Sequence, residues 1–229
     1  MSCIGENTVV VSLQNGLGND LVLAGYVPKD RILCGFGRIG TELIAPGICA
    51  TKPETGVTMR FGPAQESELN RRIGLKLAEI FRSGGCEARY ESNIKPYIWK
   101  KAIANSGYNT VCAVLGLKVG AVLNDPNGIE LVKSVWAEGC AVAKAAGSGD
   151  LWPEFEEELE ALRDGFGDYY PSMAQDVLLF RRQTEIAYLN GAIVDYGRRL
   201  GVATPVNTAM TRIISCIQSN YKKQYTQDA

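Results

Sequence analysis

The apolar pattern changes character at Pro96, and that change constrains the fold more than any other feature of the chain. Ahead of it, apolar residues come in short β-branched runs separated by glycine-rich turns; beyond it they recur at helical spacing over long stretches. Thr8 to Leu13 reads as a buried strand, with further short strands at Arg31 to Gly37, Gly47 to Thr51, Gly56 to Phe61 and Cys86 to Tyr90. Ala64 to Arg82 reads as an amphipathic helix stopped at Gly84-Gly85. After a boundary near Ser92 to Pro96, helices are expected over Tyr97 to Leu115, Gly128 to Ala146, Trp152 to Arg163, Met173 to Leu200 and Thr204 to Asn220. Pro126, Pro153, Pro171 and Pro205 stand near helix starts, where a missing N–H costs little. A mixed α/β part followed by an all-α part is the expected architecture.

The composition narrows the function classes. With 229 residues, 46% hydrophobic and 21% charged, the chain reads as soluble and globular. A net charge of −1 without a basic stripe excludes the electrostatic footprint of a nucleic-acid binder. No apolar run reaches the roughly 18 residues of a membrane span, and Met1 to Gly5 lacks the character of a signal peptide, so a cytoplasmic location is expected. Cysteines stand singly at positions 3, 34, 49, 86, 112, 140 and 216, as reduced packing residues rather than metal or redox pairs. The absence of histidine removes Ser-His-Asp and Cys-His catalysis and His-ligated metals, leaving proton chemistry to Lys, Glu, Asp, Tyr or Cys.

Within Ile98 to Asn109, Lys101, Asn105 and Asn109 fall at intervals of four, which puts one ammonium and two carboxamides on a single helix face. A core-facing helix would carry Leu, Ile or Val there, since an unpaired buried polar group costs about 2 kcal/mol or more. A lysine can protonate a developing alkoxide while flanking amides fix a substrate's oxygens, which suits carbonyl chemistry. A solvated helix face is the plainer alternative.

Two glycine signals precede this face. Gly35-Phe-Gly37-Arg-Ile-Gly40 matches the dinucleotide fingerprint, but only Thr41 to Ala45 separates it from Pro46-Gly47, too short for the helix whose N-terminus would hold a diphosphate. Coincidence in a turn or short strand is the favoured explanation. Asn15-Gly16-Leu17-Gly18 follows the Thr8 to Leu13 strand; its backbone can approach a ligand closely and Asn15 offers a donor and an acceptor, or it is a plain Asn-Gly turn.

A second polar cluster begins at Pro171-Ser172-Met173. Ser172 is a candidate N-cap. Glu185 lies among Ile186, Leu189 and Ile193 at spacings that imply partial burial, and its carboxylate needs a partner, either Lys101 or one of Arg181 and Arg182. Five glutamates between Glu154 and Glu160 read as a solvated helix face rather than a metal site.

Three groups of residues together resemble the ketopantoate reductase (2-dehydropantoate 2-reductase) family over nearly the whole chain: QNGLGN from Gln14, the spacing of Trp99, Lys101, Asn105 and Asn109, and the run PSM, D, TEI, LNG and TP.N from Pro171 to Asn207. The resemblance implies a Rossmann domain that binds NADPH and a helical domain that closes over a 2-oxo acid. It places a partial dinucleotide-binding domain at 1–93 and the helical C-terminal domain at 94–229. It also implies that Lys101 is the general acid, that Asn105, Asn109 and Ser172 bind the substrate's hydroxyl and carboxylate, that Glu185 hydrogen-bonds substrate or orients its neighbours, and that Asn15 lies between cofactor and substrate. The chain departs from the family in three respects. QNGLGN starts at residue 14 rather than about a hundred residues in, so the chain resembles a family member that lacks the first half of the nucleotide-binding domain, and that lack is the expectation. The interval from Ser172 to Glu185 is one residue longer, and Val119-Gly120 stands where several members carry Asn-Gly. The alternative function is a non-catalytic binding or assembly module, with the long helices as a homodimer interface and the half sheet paired with another chain.

Overall fold

A computed structural model describes residues 4–52, 58–165 and 169–224. The chain packs as two compact units, one of Met1–Gln14 and Gly18–Ile98, the other of Asn15–Leu17 and Trp99–Ala229.

The first unit is built on a four-stranded mixed sheet in the order β1 (Val10–Ser12), β2 (Ile32–Gly37), β5 (Met59–Pro63), β6 (Ala88–Tyr90). β1 runs parallel to β2, β2 antiparallel to β5, and β5 parallel to β6. A five-residue helix, α1 (Asn19–Leu23), follows β1. The long helix α2 (Glu68–Ser83) packs on β5 and β6, where Met59, Phe61, Ala78 and Ala88 form a core. Its start is fixed by capping chemistry: Ser67 accepts from the Asn70 N–H at 3.0 Å, and buried Asn70 donates to the carbonyls of Ile32 and Gln65. All five expected strands lie on or beside observed ones, although Gly56 and Val57 fall outside the described residues.

Between β2 and β5 stands a separate hairpin, β3 (Gly40–Ala45) with β4 (Ile48–Lys52), turned at Pro46-Gly47. β3 was not expected. Its presence settles the fingerprint-like glycines: Gly35 and Gly37 lie inside β2 and Gly40 opens β3, so no helix follows them. Gly35 serves packing, since a Cβ there would stand 2.1 Å from the Arg60 carbonyl oxygen.

The second unit is helical. α3 (Lys95–Leu115) enters it at Trp99, followed by α4 (Val119–Asn124), α5 (Pro126–Ala145) and α6 (Trp152–Gly165). Asp125 caps α5 by accepting from the Asn127 and Gly128 N–H groups, with Pro126 in the first turn. At the core, Trp136 meets Phe155 at 4.6 Å and donates to the Ala104 carbonyl, an approach that Gly107 permits because a Cβ would stand 2.1 Å from the indole nitrogen. Glu154, Glu156 and Glu157 are exposed, and Glu154 pairs with Lys100 at 2.9 Å, as a solvated face requires.

The single helix expected over Met173 to Leu200 does not form. α7 (Ser172–Gln175) runs into a π turn at Asp176–Phe180, Arg181 turns left-handed at φ 50°, and only Asn190–Leu200 resumes as α8. A π turn takes up one residue more than an α turn, which breaks the helical spacing carried by this stretch. Arg182 closes the turn, its side chain paired with Asp176 at 2.6 Å and its N–H bonded to the Asp176 carbonyl. α9 (Pro205–Ser219) completes the unit. No described helix is long and apolar enough to cross a membrane.

Candidate active site

α3 carries the candidate face, and its surroundings decide what that face is. Trp99, Ala102, Ile103, Ala104, Ser106, Gly107, Thr110, Val111 and Cys112 are all buried around it. Lys101 and Asn105 are half-buried and Asn109 is 3% exposed, so the face is not fully solvated. One ammonium and two carboxamides thus share a partly buried face of a helix whose other residues are mostly buried. Tyr108 donates to Asn105 Oδ1 at 3.4 Å, which leaves the Asn105 amide nitrogen oriented as a donor.

Ser172 is not an N-cap. Pro171 occupies that position, Ser172 is the first residue of α7, and its hydroxyl accepts from Asn109 Nδ2 at 3.4 Å. The structure thus joins two of the expected substrate residues, 63 positions apart, and removes the structural role that competed for Ser172.

Glu185 is half-buried, as its neighbours imply, but its hydrogen bond goes to Asn15, whose Nδ2 donates to Glu185 Oε2 at 3.2 Å. The two arginines considered as partners act elsewhere: Arg182 pairs with Asp176, and Arg181 donates to the Tyr221 carbonyl. Glu185 sits in a tight turn in which Tyr188 and Leu189 N–H groups both donate to its carbonyl. The Asn15-Gly16-Leu17 segment docks on this turn through Leu17 N–H to Tyr188 O at 3.0 Å. Gly16 has φ +90°, and a Cβ would stand 2.7 Å from the Tyr188 carbonyl oxygen. The close approach this glycine allows is therefore to the protein's own backbone.

Behind the face lies a buried network that sequence reasoning missed. Thr110 donates to Asn190 Oδ1 (2.8 Å), and Asn190 donates to the Ser106 carbonyl (3.0 Å) and to Asn207 Oδ1 (3.1 Å). Asn207 donates in turn to the Val135 carbonyl and to Glu138. Glu138 also accepts from the Val206 and Asn207 N–H groups, so a carboxylate on α5 caps α9. LNG and TP.N contained both asparagines, but only as parts of a motif.

Among the described residues no group of three or more His, Cys, Asp or Glu side chains could hold a metal ion. Burial pushes the thiols of Cys34, Cys112 and Cys140 up to about 12, which makes them poor nucleophiles and leaves them to packing. An open cavity of about 550 Å³ at the end of α9, lined by Arg181, Gln218 and Lys222 among others, contains none of the candidate residues.

Known proteins resemble the chain over most of its length. The family described as ketopantoate reductase PanE/ApbA matches residues 2–65, and its C-terminal region matches residues 93–218. The 2-dehydropantoate 2-reductase of Lactococcus lactis is 31% identical over 213 residues, which are 92% of this chain and 67% of that protein. Its Streptococcus pyogenes counterpart is 29% identical over 211 residues, with the same shares. Among solved structures, D-mandelate dehydrogenase with NADH and anilino(oxo)acetate superposes with a TM-score of 0.87 at 27% identity, covering 96% of this chain and 71% of that one. The C-terminal match alone spans more than half of the chain, which belongs to the ketopantoate reductase family.

Proposed function

We propose that the chain is an oxidoreductase that reduces a 2-oxo acid, 2-dehydropantoate or a close relative, with NADPH. The observation that carries this reading is the partly buried face of α3, where Lys101 and Asn105 are half-buried and Asn109 is bonded to Ser172. A 2-oxo acid offers a ketone oxygen and a carboxylate, groups that match an ammonium donor and carboxamide donors displayed together on one helix face.

In this reading Lys101 donates a proton from Nζ to the ketone oxygen as it becomes an alkoxide. Asn105, Asn109 and Ser172 hold the carboxylate and any hydroxyl. Glu185 accepts a hydrogen bond from the substrate or from its neighbours, and its bond to Asn15 keeps the carboxylate turned toward them. A nicotinamide cofactor, when bound, supplies the hydride. The residues present fit the reacting end of such a cofactor, since Asn15 presents a carboxamide beside Glu185. The fingerprint-like glycines lie in strands and do not form a diphosphate loop. The NADH-bound relative supports a nicotinamide, and the choice of NADPH rests on the family resemblance. Fluorescence titration of the purified chain with NADPH and NADH, with and without ketopantoate, tests the proposal. Saturable micromolar binding tightened by the oxo acid is expected; no binding of either cofactor overturns it.

One observation favours a second function, assembly. Among the described residues β1 pairs with a strand on one side only, and Val11, Leu13, Leu21, Val22 and Tyr26 are exposed in the same stretch, a surface suited to pairing with a second copy. Light scattering that shows a monomer at all concentrations counts against it.

A further inference from the structure

We infer that Asn190 is a positioning residue that fixes the turn carrying Glu185 relative to α3. Its consequence for catalysis rests on the reductase reading; its consequence for structure does not. Asn190 has no exposed surface and uses its carboxamide three ways, accepting from Thr110 and donating to Ser106 and Asn207. Ser106 and Thr110 directly follow Asn105 and Asn109 on α3. Consecutive helical residues point about 100° apart, so Asn190 grips the neighbouring side of the same two turns that display the candidate ligands.

From Asn190 the chain reaches Glu185 in five residues with little slack. Leu189 and Tyr188 donate to the Glu185 carbonyl, Gly191 donates to the Ile186 carbonyl, and Ile186 and Leu189 are buried. Movement of Asn190 along α3 must therefore carry Glu185 with it, together with the Asn15–Glu185 bond. A leucine would fill similar space, but it has no directional bonds and would permit several settings of the turn. The carboxamide permits one, provided every partner is kept. Asn207, itself held by Val135 and Glu138, backs this arrangement from the far side without touching α3 through any of these bonds.

The test compares Asn190→Ala and Thr110→Val with Asn207→Ala in the full chain. Asn207→Ala keeps both bonds from Asn190 to α3. Hydrogen exchange of the Leu17 amide and the NMR shift of the Asn15 side-chain amide report the Glu185 turn, and exchange of α5 amides reports the unit as a whole. Expected for Asn190→Ala and Thr110→Val are a displaced Asn15 resonance, Leu17 exchange accelerated more than that of α5, and kcat lowered about ten- to a hundred-fold with KM nearly unchanged. Asn207→Ala should speed exchange throughout the unit and spare kcat. If Asn190→Ala does not fold, the milder Thr110→Val carries the comparison. Uniform loosening in all three, with kcat falling no further than in Asn207→Ala, overturns the inference. A wild-type chain without turnover would sink the reductase reading, while the exchange pattern would still decide the role of Asn190.

Discussion

Gly16→Ala places a methyl group where the backbone of the Glu185 turn already lies. Two costs arise. An L-residue held in a left-handed conformation costs about 1–2 kcal/mol, and the new Cβ, 2.7 Å from Tyr188 O and 2.8 Å from Tyr188 Cβ, adds overpacking of about 1–3 kcal/mol. Together they come to about 3 kcal/mol. Holding the segment down are the Leu17–Tyr188 bond, the Asn15–Glu185 bond and the burial of Leu17, which sum to about 5 kcal/mol. Strain is thus smaller than docking but comparable with it, so the segment should lift off transiently while the helices stay folded. With ten-fold for each ~1.4 kcal/mol, exchange of the Leu17 amide should accelerate by about a hundred-fold. Hydrogen exchange read by NMR measures this, with α5 amides as the control that should not move. Leu17 protection within about three-fold of wild type would refute the reasoning, because it would mean the glycine is not required for this approach.

Two further outcomes follow from the buried chemistry. Glu138→Gln turns one of two accepting oxygens into a donor facing N–H groups at the start of α9, and urea denaturation should show a loss of about 2 kcal/mol; a change within experimental error contradicts the capping role. Cys34, Cys112 and Cys140 should resist a thiol reagent in the native chain while exposed Cys49 and Cys216 react. Because the three folded-state pKa values are raised to about 12 from 9.0, the unfolded chain loses those protons first, so stability should hold below pH 9 and fall between pH 9 and about 12. Prompt native labelling of all three buried thiols is the contrary result.

The sequence showed the division into strands and helices because apolar spacing reports local geometry, and it showed the α3 face because intervals of four are intrinsic to a helix. It did not show what depends on distant partners. Met173 to Leu200 has helical spacing throughout, yet Asp176 and Arg182 close a π turn, and Leu17 takes the Tyr188 carbonyl. The partner of Glu185 lies 170 positions away at Asn15, beyond any local pattern. Ser172 had the chemistry of a cap but sits one position too late, with Pro171 before it. Asn190 and Asn207 were visible as motif letters, whereas their mutual hydrogen bond exists only once α8 and α9 pack together.

The most direct measurement of the central claim is the rate of ketopantoate-dependent NADPH oxidation by the wild-type chain and by Lys101→Ala. A general acid contributes typically 10²–10⁴-fold, so the variant should lose about a hundred-fold or more in kcat while still folding. A folded Lys101→Ala that turns over at the wild-type rate would contradict the account.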